Sequence, residues 1–400
     1  SYALDANTTG TRNTAVGAYS LTSSVSTIAN VAVGYQAMQA TTSGDYNAVL
    51  GYQAMYDNTT GSSNVAFGNL ALNNNTTGSN NIAVGSNALR DNTTGDSNTA
   101  VGHTALVLNT IGTDNIAVGR AALYNNTTGV NNVAVGSYAL DANTAGESNV
   151  AMGTSALGAN TTASNNTAVG RSALGANTTG TLNAAVGYLS LDANTTGNYN
   201  TAFGAYSLTS ATTASSNTAF GYAAMSTTTT GADNVAIGFQ ALQVNTTGTG
   251  NVVVGSYALD ANTTGSYNTV LGHGALTVST TGVENVAVGA YSLDANTTGG
   301  YNVAVGNYSL SANTTGIENT ALGRRSLEVN TTASYNTALG YTSLGSNTTG
   351  TKNTAIGNTA GSTVTTGSNL TLIGYNAEPS SATATNEVTL GDTNVATFRC

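Results

Sequence analysis

The sequence is poor in charge, cysteine, proline and tryptophan, and these shortages exclude several classes of protein. Only 6% of its 400 residues are charged, against roughly a quarter in ordinary globular domains. The 18 acidic residues outnumber the 8 basic ones, whereas a nucleic-acid-binding chain needs clustered lysine and arginine to neutralise phosphates. The composition therefore argues against nucleic acid as a partner.

Cysteine and proline each occur once. Cys400 is the last residue, so no disulfide can form within the chain, and a bridge between two chains stays open. No apolar run approaches the ~18 residues that a membrane helix needs, and no signal peptide is visible. The chain begins in the middle of a repeat, which leads us to expect a processed or trimmed part of a longer protein.

What the sequence does contain is a repeat of 17 residues. The segment 13–17, Asn-Thr-Ala-Val-Gly, ends in an anchor glycine that returns every 17 residues from Gly17 to Gly391, giving 23 copies without an insertion. A fixed period of this length is typical of a solenoid or fibre in which each repeat forms one rung. We therefore expect one repetitive body, regular over residues 1–360, where length alone would suggest two or three domains.

The composition of each rung predicts an all-β fold. The residues before the anchor glycine are β-branched or apolar and favour a strand. Strand alternation would direct Thr14 and Val16 to one face and Ala15 to the other. We expect Val16 to face the interior, with Leu21 closing it from the opposite wall. Asn-Thr-Thr-Gly predicts a turn, because Asn and Gly tolerate left-handed backbone angles.

One rung offers too little apolar area to fold alone, so the rungs are expected to stack. Strands about 4.8 Å apart would then share backbone hydrogen bonds. The predicted fold is a parallel β-solenoid or β-roll of 17-residue rungs.

Two columns of identical residues need an explanation. Asparagine stands four residues before the anchor glycine in 21 of the 23 rungs, and we interpret it as a buried ladder of side-chain amides. Alanine stands two residues before it in 18 rungs, which indicates close approach of another backbone. That backbone could be the opposite wall of a flattened coil or a neighbouring chain at a three-fold axis, and both possibilities stay open.

The repeat becomes irregular over residues 361–400. Gly361 and Glu378 replace the leucine of the rung, and Leu370 and Glu387 replace its asparagine. Because the 17-residue spacing continues, we predict a C-terminal cap or transition that shields the last rung.

The repeats resemble two related groups of proteins. Residues 13–21, Asn-Thr-Ala-Val-Gly-Ala-Tyr-Ser-Leu, resemble the head repeats of trimeric autotransporter adhesins, although the period here is longer. The arrays of Asn-Thr-Ala-Val-Gly and Asn-Thr-Thr-Gly resemble phage-type tail-fibre proteins more closely. The segment 386–400, Asn-Glu-Val-Thr-Leu-Gly through Thr-Phe-Arg-Cys, is similar to the region that precedes an endosialidase-type intramolecular chaperone. Such chaperones assemble trimers and then cut themselves off.

The resemblance implies a homotrimeric fibre, cleaved or truncated, that is exposed outside a cell or on a virion. Our leading hypothesis is a structural shaft that holds an attachment end away from its base. One alternative is an adhesin that binds glycans or surfaces through a lateral face of tyrosine, asparagine and threonine. Another alternative is an ice-binding solenoid, because the repeated Thr8-Thr9 pair makes rows of threonine.

No catalytic, cofactor-binding or metal-binding residue is predicted, and we expect that the chain is not an enzyme. His103 and His273 each follow an anchor glycine but lie ten rungs apart. Carboxylates follow the leucine on scattered rungs and are interpreted as surface residues: Asp5, Asp141, Asp192, Asp260 and Asp294. The calcium-binding nonapeptide repeat would need an aspartate in every turn.

Tyrosine and the Asn-Thr-Thr triplets carry the remaining hypotheses. Several of the 20 tyrosines stand two residues after an anchor glycine: Tyr19, Tyr138, Tyr206, Tyr257, Tyr291 and Tyr308. They are interpreted either as an amphipathic surface layer or as an adhesive face. The 14 Asn-Thr-Thr triplets, which include Asn7, Asn58 and Asn262, match the glycosylation sequon, although turn chemistry also explains them.

Overall fold

A computed structural model describes residues 2–395, which form two compact units, one ending at Tyr199 and the other beginning at Asn200. These residues contain 23 strands of three residues each and no helix. Cys400, and with it the end of the segment that resembles the chaperone-preceding region, lies outside the described residues.

The strands follow one another at the period of the repeat. In the first unit they are β1 Thr14–Val16, β2 Val31–Val33, β3 Ala48–Leu50, β4 Val65–Phe67, β5 Ile82–Val84, β6 Thr99–Val101, β7 Ile116–Val118, β8 Val133–Val135, β9 Val150–Met152, β10 Thr167–Val169 and β11 Ala184–Val186. In the second unit they are β12 Thr201–Phe203, β13 Thr218–Phe220, β14 Val235–Ile237, β15 Val252–Val254, β16 Thr269–Leu271, β17 Val286–Val288, β18 Val303–Val305, β19 Thr320–Leu322, β20 Thr337–Leu339, β21 Thr354–Ile356, β22 Thr371–Ile373 and β23 Val388–Leu390.

Within each unit, successive strands pair in parallel with residues 17 apart opposite each other. In β8 and β9, for example, Ala134 pairs with Ala151. The turns stack in the same way, since the backbone amide of Thr144 donates to the carbonyl of Thr161 at 2.8 Å. Each unit is thus a parallel β-solenoid with one hydrogen-bonded rung per 17 residues, and this prediction from the sequence is confirmed.

The direction in which the strand faces the interior was predicted wrongly. Val16 is 58% exposed, and Thr14 is also exposed, so neither lines the interior. In the middle of the first unit, Ala134 is fully buried while Val135 is half-buried on the outer side. Leu140 is fully buried, as expected. The interior therefore contains the alanine and the leucine of each rung, and the large apolar residue before the anchor glycine lies outside.

In the last rungs a small residue and a large residue exchange places, which shows how alanine and leucine together fill the interior. Gly361 occupies the position of the usual leucine, and Leu372 occupies the position of the usual alanine. A Cβ at Gly361 would lie only 2.7 Å from Cδ1 of Leu372, so the leucine of one wall fills the space that the other wall leaves. The alanine column thus reflects the opposite wall of the same coil.

Two asparagine ladders cross-link the rungs, where the sequence predicted one. In the predicted ladder, the side chain of Asn64 donates to the Asn47 side chain at 3.1 Å and to the carbonyl of Gly78 at 3.0 Å. In the second, the first residue of the turn is also buried, and Asn75 donates to the Asn58 side chain at 2.9 Å. The turn asparagines are therefore interior residues, whereas the sequence predicted only that they belong to turns.

Backbone geometry explains why the anchor residue is always glycine. Gly136 has a φ of 138°, and a Cβ there would lie 2.6 Å from the carbonyl oxygen of Gly153 in the next rung. Three further positions of the rung are left-handed without requiring glycine, and they are represented by Tyr138 (φ 58°), Leu140 (φ 52°) and Ser148 (φ 56°). The close stacking of rungs holds the backbone of these residues in a left-handed conformation that is unfavourable for residues other than glycine.

Candidate functional site

The outer side of each strand forms an apolar surface, which we call the sheet face. It consists of the residues three before and one before each anchor glycine. Its exposed large side chains include Leu50 and Phe67 in the first unit, and Phe220 and Leu271 in the second, at 42–52% exposure. Side chains of this size are normally removed from water, so their exposure in a continuous column marks a candidate contact surface.

The composition of the sheet face supports that interpretation. No rung carries a charged residue at either position, and the most polar member is threonine. By the usual strand spacing and rise per residue, the face of one unit covers on the order of 500 Å². The largest apolar patch on a typical monomer is about 300–600 Å² and is often functional, and each chain has two such faces.

A second surface consists of aromatic rings that contact one another from rung to rung, stacked or edge to face, beside the anchor glycines. In the second unit seven rings follow one another at centroid distances of 5.3–6.1 Å: Tyr206, Tyr222, Phe239, Tyr257, His273, Tyr291 and Tyr308. A shorter column of four rings runs through Tyr2, Tyr19, Tyr35 and Tyr52. These tyrosines thus form two ordered columns, which we call the aromatic ladder, and His273 is a member of the longer column.

On other rungs of the same surface, an arginine lies over the tyrosine of the next rung. The guanidinium of Arg120 lies 5.3 Å from the centroid of Tyr138, and that of Arg171 lies 5.8 Å from Tyr188. Such cation–π contacts stabilise by about 0.5–1 kcal/mol at exposed sites. These contacts hold the guanidinium groups of Arg120 and Arg171 against tyrosine rings.

The first unit has a surface groove of about 380 Å³ over Ala121, which stands two residues after its anchor glycine. In the adjacent rungs the same position holds Thr104 and Tyr138, which close the two ends of the groove. Its sides are lined by His103, Arg120, Tyr124 and Asp141. The groove exists because a small side chain lies between larger neighbours of the same column.

The second unit repeats this arrangement over Ala223, with a volume of about 360 Å³. Tyr206 and Gln240 stand at the same position in the adjacent rungs and close its ends. The remaining lining residues are Thr209, Ser210, Tyr222, Ser226, Thr227 and Gln243. Both grooves have aromatic and polar walls over an alanine floor.

Of the scattered aspartates, Asp5 is exposed as the sequence suggested, whereas the other four are half-buried. Burial raises the pKa of the Asp141 carboxyl, while a hydrogen bond from its own backbone amide acts in the opposite direction. Burial likewise raises the pKa of Asp192, Asp260 and Asp294. The sequence placed His103 and Asp141 on the surface separately, and the structure brings both to one groove. The signal for this was alanine at a position where most rungs carry a longer side chain.

Residues 2–395 contain no cluster of three or more His, Cys, Asp or Glu side chains suited to a metal ion. Within the same range, no helix could cross a lipid bilayer. The two ion pairs found among these residues are local, and one of them joins Arg90 to Asp91 at 2.6 Å.

The side chains of the turn residues form more hydrogen bonds than their sequence suggested. The Nδ2 atom of Asn58, where a glycan would be attached, is buried and donates to the carbonyl of Gly61 at 3.1 Å. The hydroxyl of Thr59 donates to the carbonyl of Thr76 at 2.8 Å, which leaves Thr60 as the exposed threonine of the pair. The folded turn therefore shields this sequon, and one of the two threonine columns points its hydroxyls at backbone.

The sequence matches no model of a known protein family and no curated protein.

Proposed function

We propose that this chain is the structural shaft of a fibre that lies outside a cell or on a virion. Its role is mechanical: stacked rungs hold an attachment end at a distance from the base. The observation that supports this most is that every rung from residue 14 to residue 390 repeats one hydrogen-bonded design. The resemblance of the repeats to phage-type tail-fibre arrays points in the same direction.

We further propose that the shaft is a homotrimer in which the sheet faces of three chains meet. The sheet face of each unit covers on the order of 500 Å², within the about 300–600 Å² of the largest apolar patch on a typical monomer. Depletion of charged residues is the compositional signal of an interface core, and the sheet face has no charged residue. The sheet face is only about 10 Å wide, as expected for three residues of strand. A narrow face of this kind allows several chains to meet on one axis.

The proposed role includes no catalysis. The grooves, the aromatic ladder and the half-buried aspartates require no reaction to explain them. The ice-binding alternative stays a prediction, and the engaged hydroxyls of one threonine column count against it.

The experiment changes one residue of the sheet face in each unit. We expect the variant Val118→Arg/Val288→Arg to fold but to lose the oligomer, because burying unpaired charges in an interface is unfavourable. The matched control Thr94→Arg/Thr264→Arg places the same charges on exposed turns and should keep the native mass. Sedimentation velocity measures the mass, and electron microscopy of the unmodified protein measures the particle length.

Two results would contradict the proposal. A compact monomer of the unmodified chain would exclude both the trimer and the shaft. An oligomer that survives in the sheet-face variant would place the chain contacts elsewhere.

A further inference from the structure

The two grooves share a design that the shaft does not need. Each lies over an alanine two residues after an anchor glycine, and each is bordered by the residues one and five after the anchor glycines of neighbouring rungs. A tyrosine at this position, as at Tyr138 and Tyr257, would cover the floor of the groove. At both alanines the stacked surface is instead opened to about the lower limit of a ligand pocket, ~300 Å³.

The walls of the groove over Ala121 combine apolar rings with polar groups. Tyr124 and Tyr138 supply flat aromatic surface that ends in a hydroxyl. Arg120 supplies donors that the cation–π contact with Tyr138 holds in place. Asp141 supplies carboxylate acceptors, and among residues 2–395 its side chain forms no ion pair. Polar groups that converge on an apolar floor are the usual composition of a ligand site.

A pyranose ring matches this combination. One side of such a ring is a set of C–H groups, which packs on tyrosine. Its edge carries neighbouring hydroxyls, which accept from guanidinium and donate to carboxylate. The opposite charges of Arg120 and Asp141 balance, so the groove does not favour a charged sugar.

The groove over Ala223 supports the same ligand class with different residues. Its walls hold Tyr206 and Tyr222, whose rings meet edge to face at 5.8 Å. Its polar groups are the amides of Gln240 and Gln243 and the hydroxyls of four serine and threonine residues. These groups donate and accept without carrying charge, as recognition of a neutral ligand requires.

We propose that the grooves over Ala121 and Ala223 each bind one pyranose unit of a neutral glycan. Binding at these lateral sites goes beyond the proposed shaft and does not depend on it. Each single site is expected to have a Kd on the order of 1 mM, equivalent to about −4 kcal/mol.

The test fills the grooves. Leucine occurs naturally at the same position of the rung, at Leu70 and Leu189, so Ala121→Leu/Ala223→Leu should fold normally. The matched control Ser172→Leu/Thr342→Leu changes the same position on rungs that line neither groove. The probes are maltohexaose, cellohexaose, xylohexaose and mannohexaose, with oligogalacturonate as the charged comparison, and saturation-transfer difference NMR measures binding.

We expect at least one neutral probe to bind the unmodified chain and the control, and to bind the filled variant at least tenfold more weakly. Asp141→Ala should weaken binding of the same probe in an Ala223→Leu background, where only the first groove remains open. The proposal is overturned if no neutral probe binds, if oligogalacturonate alone binds, or if the filled variant and the control lose affinity equally. The mass of the oligomer is measured on the same samples, so failure of the glycan sites is distinct from failure of the shaft.

Discussion

At the scale of single residues, two kinds of glycine in the rung have different reasons to be small. The anchor glycine combines a φ of 125–153° in most rungs with a backbone oxygen where its Cβ would lie. The turn glycine, ten residues later, is crowded by an asparagine side chain and the next rung. Alanine replaces it at Ala163 and Ala333 but never replaces the anchor. The difference follows from backbone angle, which no movement of neighbours can relieve.

This distinction predicts unequal effects of the same substitution. Gly136→Ala should lower the free energy of unfolding by about 3 kcal/mol or more, because it adds strain at an almost glycine-only backbone angle and a contact of 2.6 Å with a carbonyl. Gly146→Ala would place its Cβ 2.4 Å from the carbonyl oxygen of Ala163 but lacks the positive φ of the anchor, so it should cost about 1–2 kcal/mol as a case of overpacking. Thermal unfolding followed by circular dichroism gives both values, and a larger loss at Gly146 would contradict this account.

The half-buried aspartates predict a dependence of stability on pH. Burial raises the pKa of Asp294 in the folded chain, and its Oδ1 has no hydrogen-bond partner among the described residues. A carboxyl with a raised pKa favours the protonated form when folded, so its ionised form opposes folding at neutral pH. That opposition disappears as the pH falls through the raised pKa towards the ordinary value of about 3.9.

Accordingly, Asp294→Asn should raise the melting temperature at pH 7, and the difference from the unmodified chain should shrink as the pH approaches 4. Asp114→Asn, at an exposed aspartate, is the control and should change little at either pH. A gain for Asp294→Asn that stayed constant with pH would show that ionisation is not its cause.

At the scale of the strand, alternation predicted two faces correctly and assigned the wrong one to the interior. The error came from the assumption that the larger residue is the buried one. Leucine from the opposite wall fills the interior, so the inner strand position usually holds alanine, with a buried valine in a few rungs such as Val253. Uniform size was the available signal: the inner position is alanine in 18 of 23 rungs, whereas the outer one varies from valine to phenylalanine. A close-packed interior does not tolerate such variation in volume.

In the structure the strand directs alanine to the interior and valine to the outside. This orientation predicts opposite effects of the same substitution at neighbouring residues. Ala134→Asp buries an unpaired charge and should abolish protection from hydrogen exchange in its own and the adjacent rungs. Val135→Asp lies on the sheet face and should retain that protection within one chain, while weakening the proposed oligomer. Exchange measured by mass spectrometry compares them. Equal protection in the two variants would mean that the strand does not face inward through its alanine.

The grooves could not be predicted from the sequence, although their residues were all visible in it. Two facts were needed together: that residues 17 apart lie side by side, and that the position two after the anchor points outward. Only then does the small side chain of Ala121 become a gap between Thr104 and Tyr138. The second asparagine ladder was missed for a related reason, because Asn-Thr-Thr-Gly satisfies the rules for an exposed turn as well as those for a buried one.

At the scale of the molecule, the period of 17 residues is the quantity that the sequence determined most firmly. Within each unit, each rung hydrogen-bonds to the rungs beside it, so stability is approximately a sum of rung and neighbour terms. The irregular residues 361–395 follow the same period, because β21, β22 and β23 pair in register. The role of residues 361–400 as a cap stays a prediction.

This additivity predicts that a whole rung can be removed. Deleting residues 137–153 removes one full rung and joins Gly136 to the residue that normally follows the next anchor glycine. The circular dichroism spectrum per residue should then stay unchanged. Deleting residues 137–144 removes part of a rung, breaks the register of the ladders and should lower the melting temperature strongly. If both deletions had equal effects, the rung would not be the unit of the fold.

The left-handed backbone of Leu140 and its equivalents in other rungs affects the kinetics of folding. A non-glycine residue in this conformation costs roughly 1–2 kcal/mol, and a typical rung contains three. The first rung to form bears that cost with nothing to lie against, whereas each later rung is templated by the last. Folding should therefore behave like crystal growth, slow to seed and quick to extend, so a preformed end that acts as the seed would set both the rate and the direction.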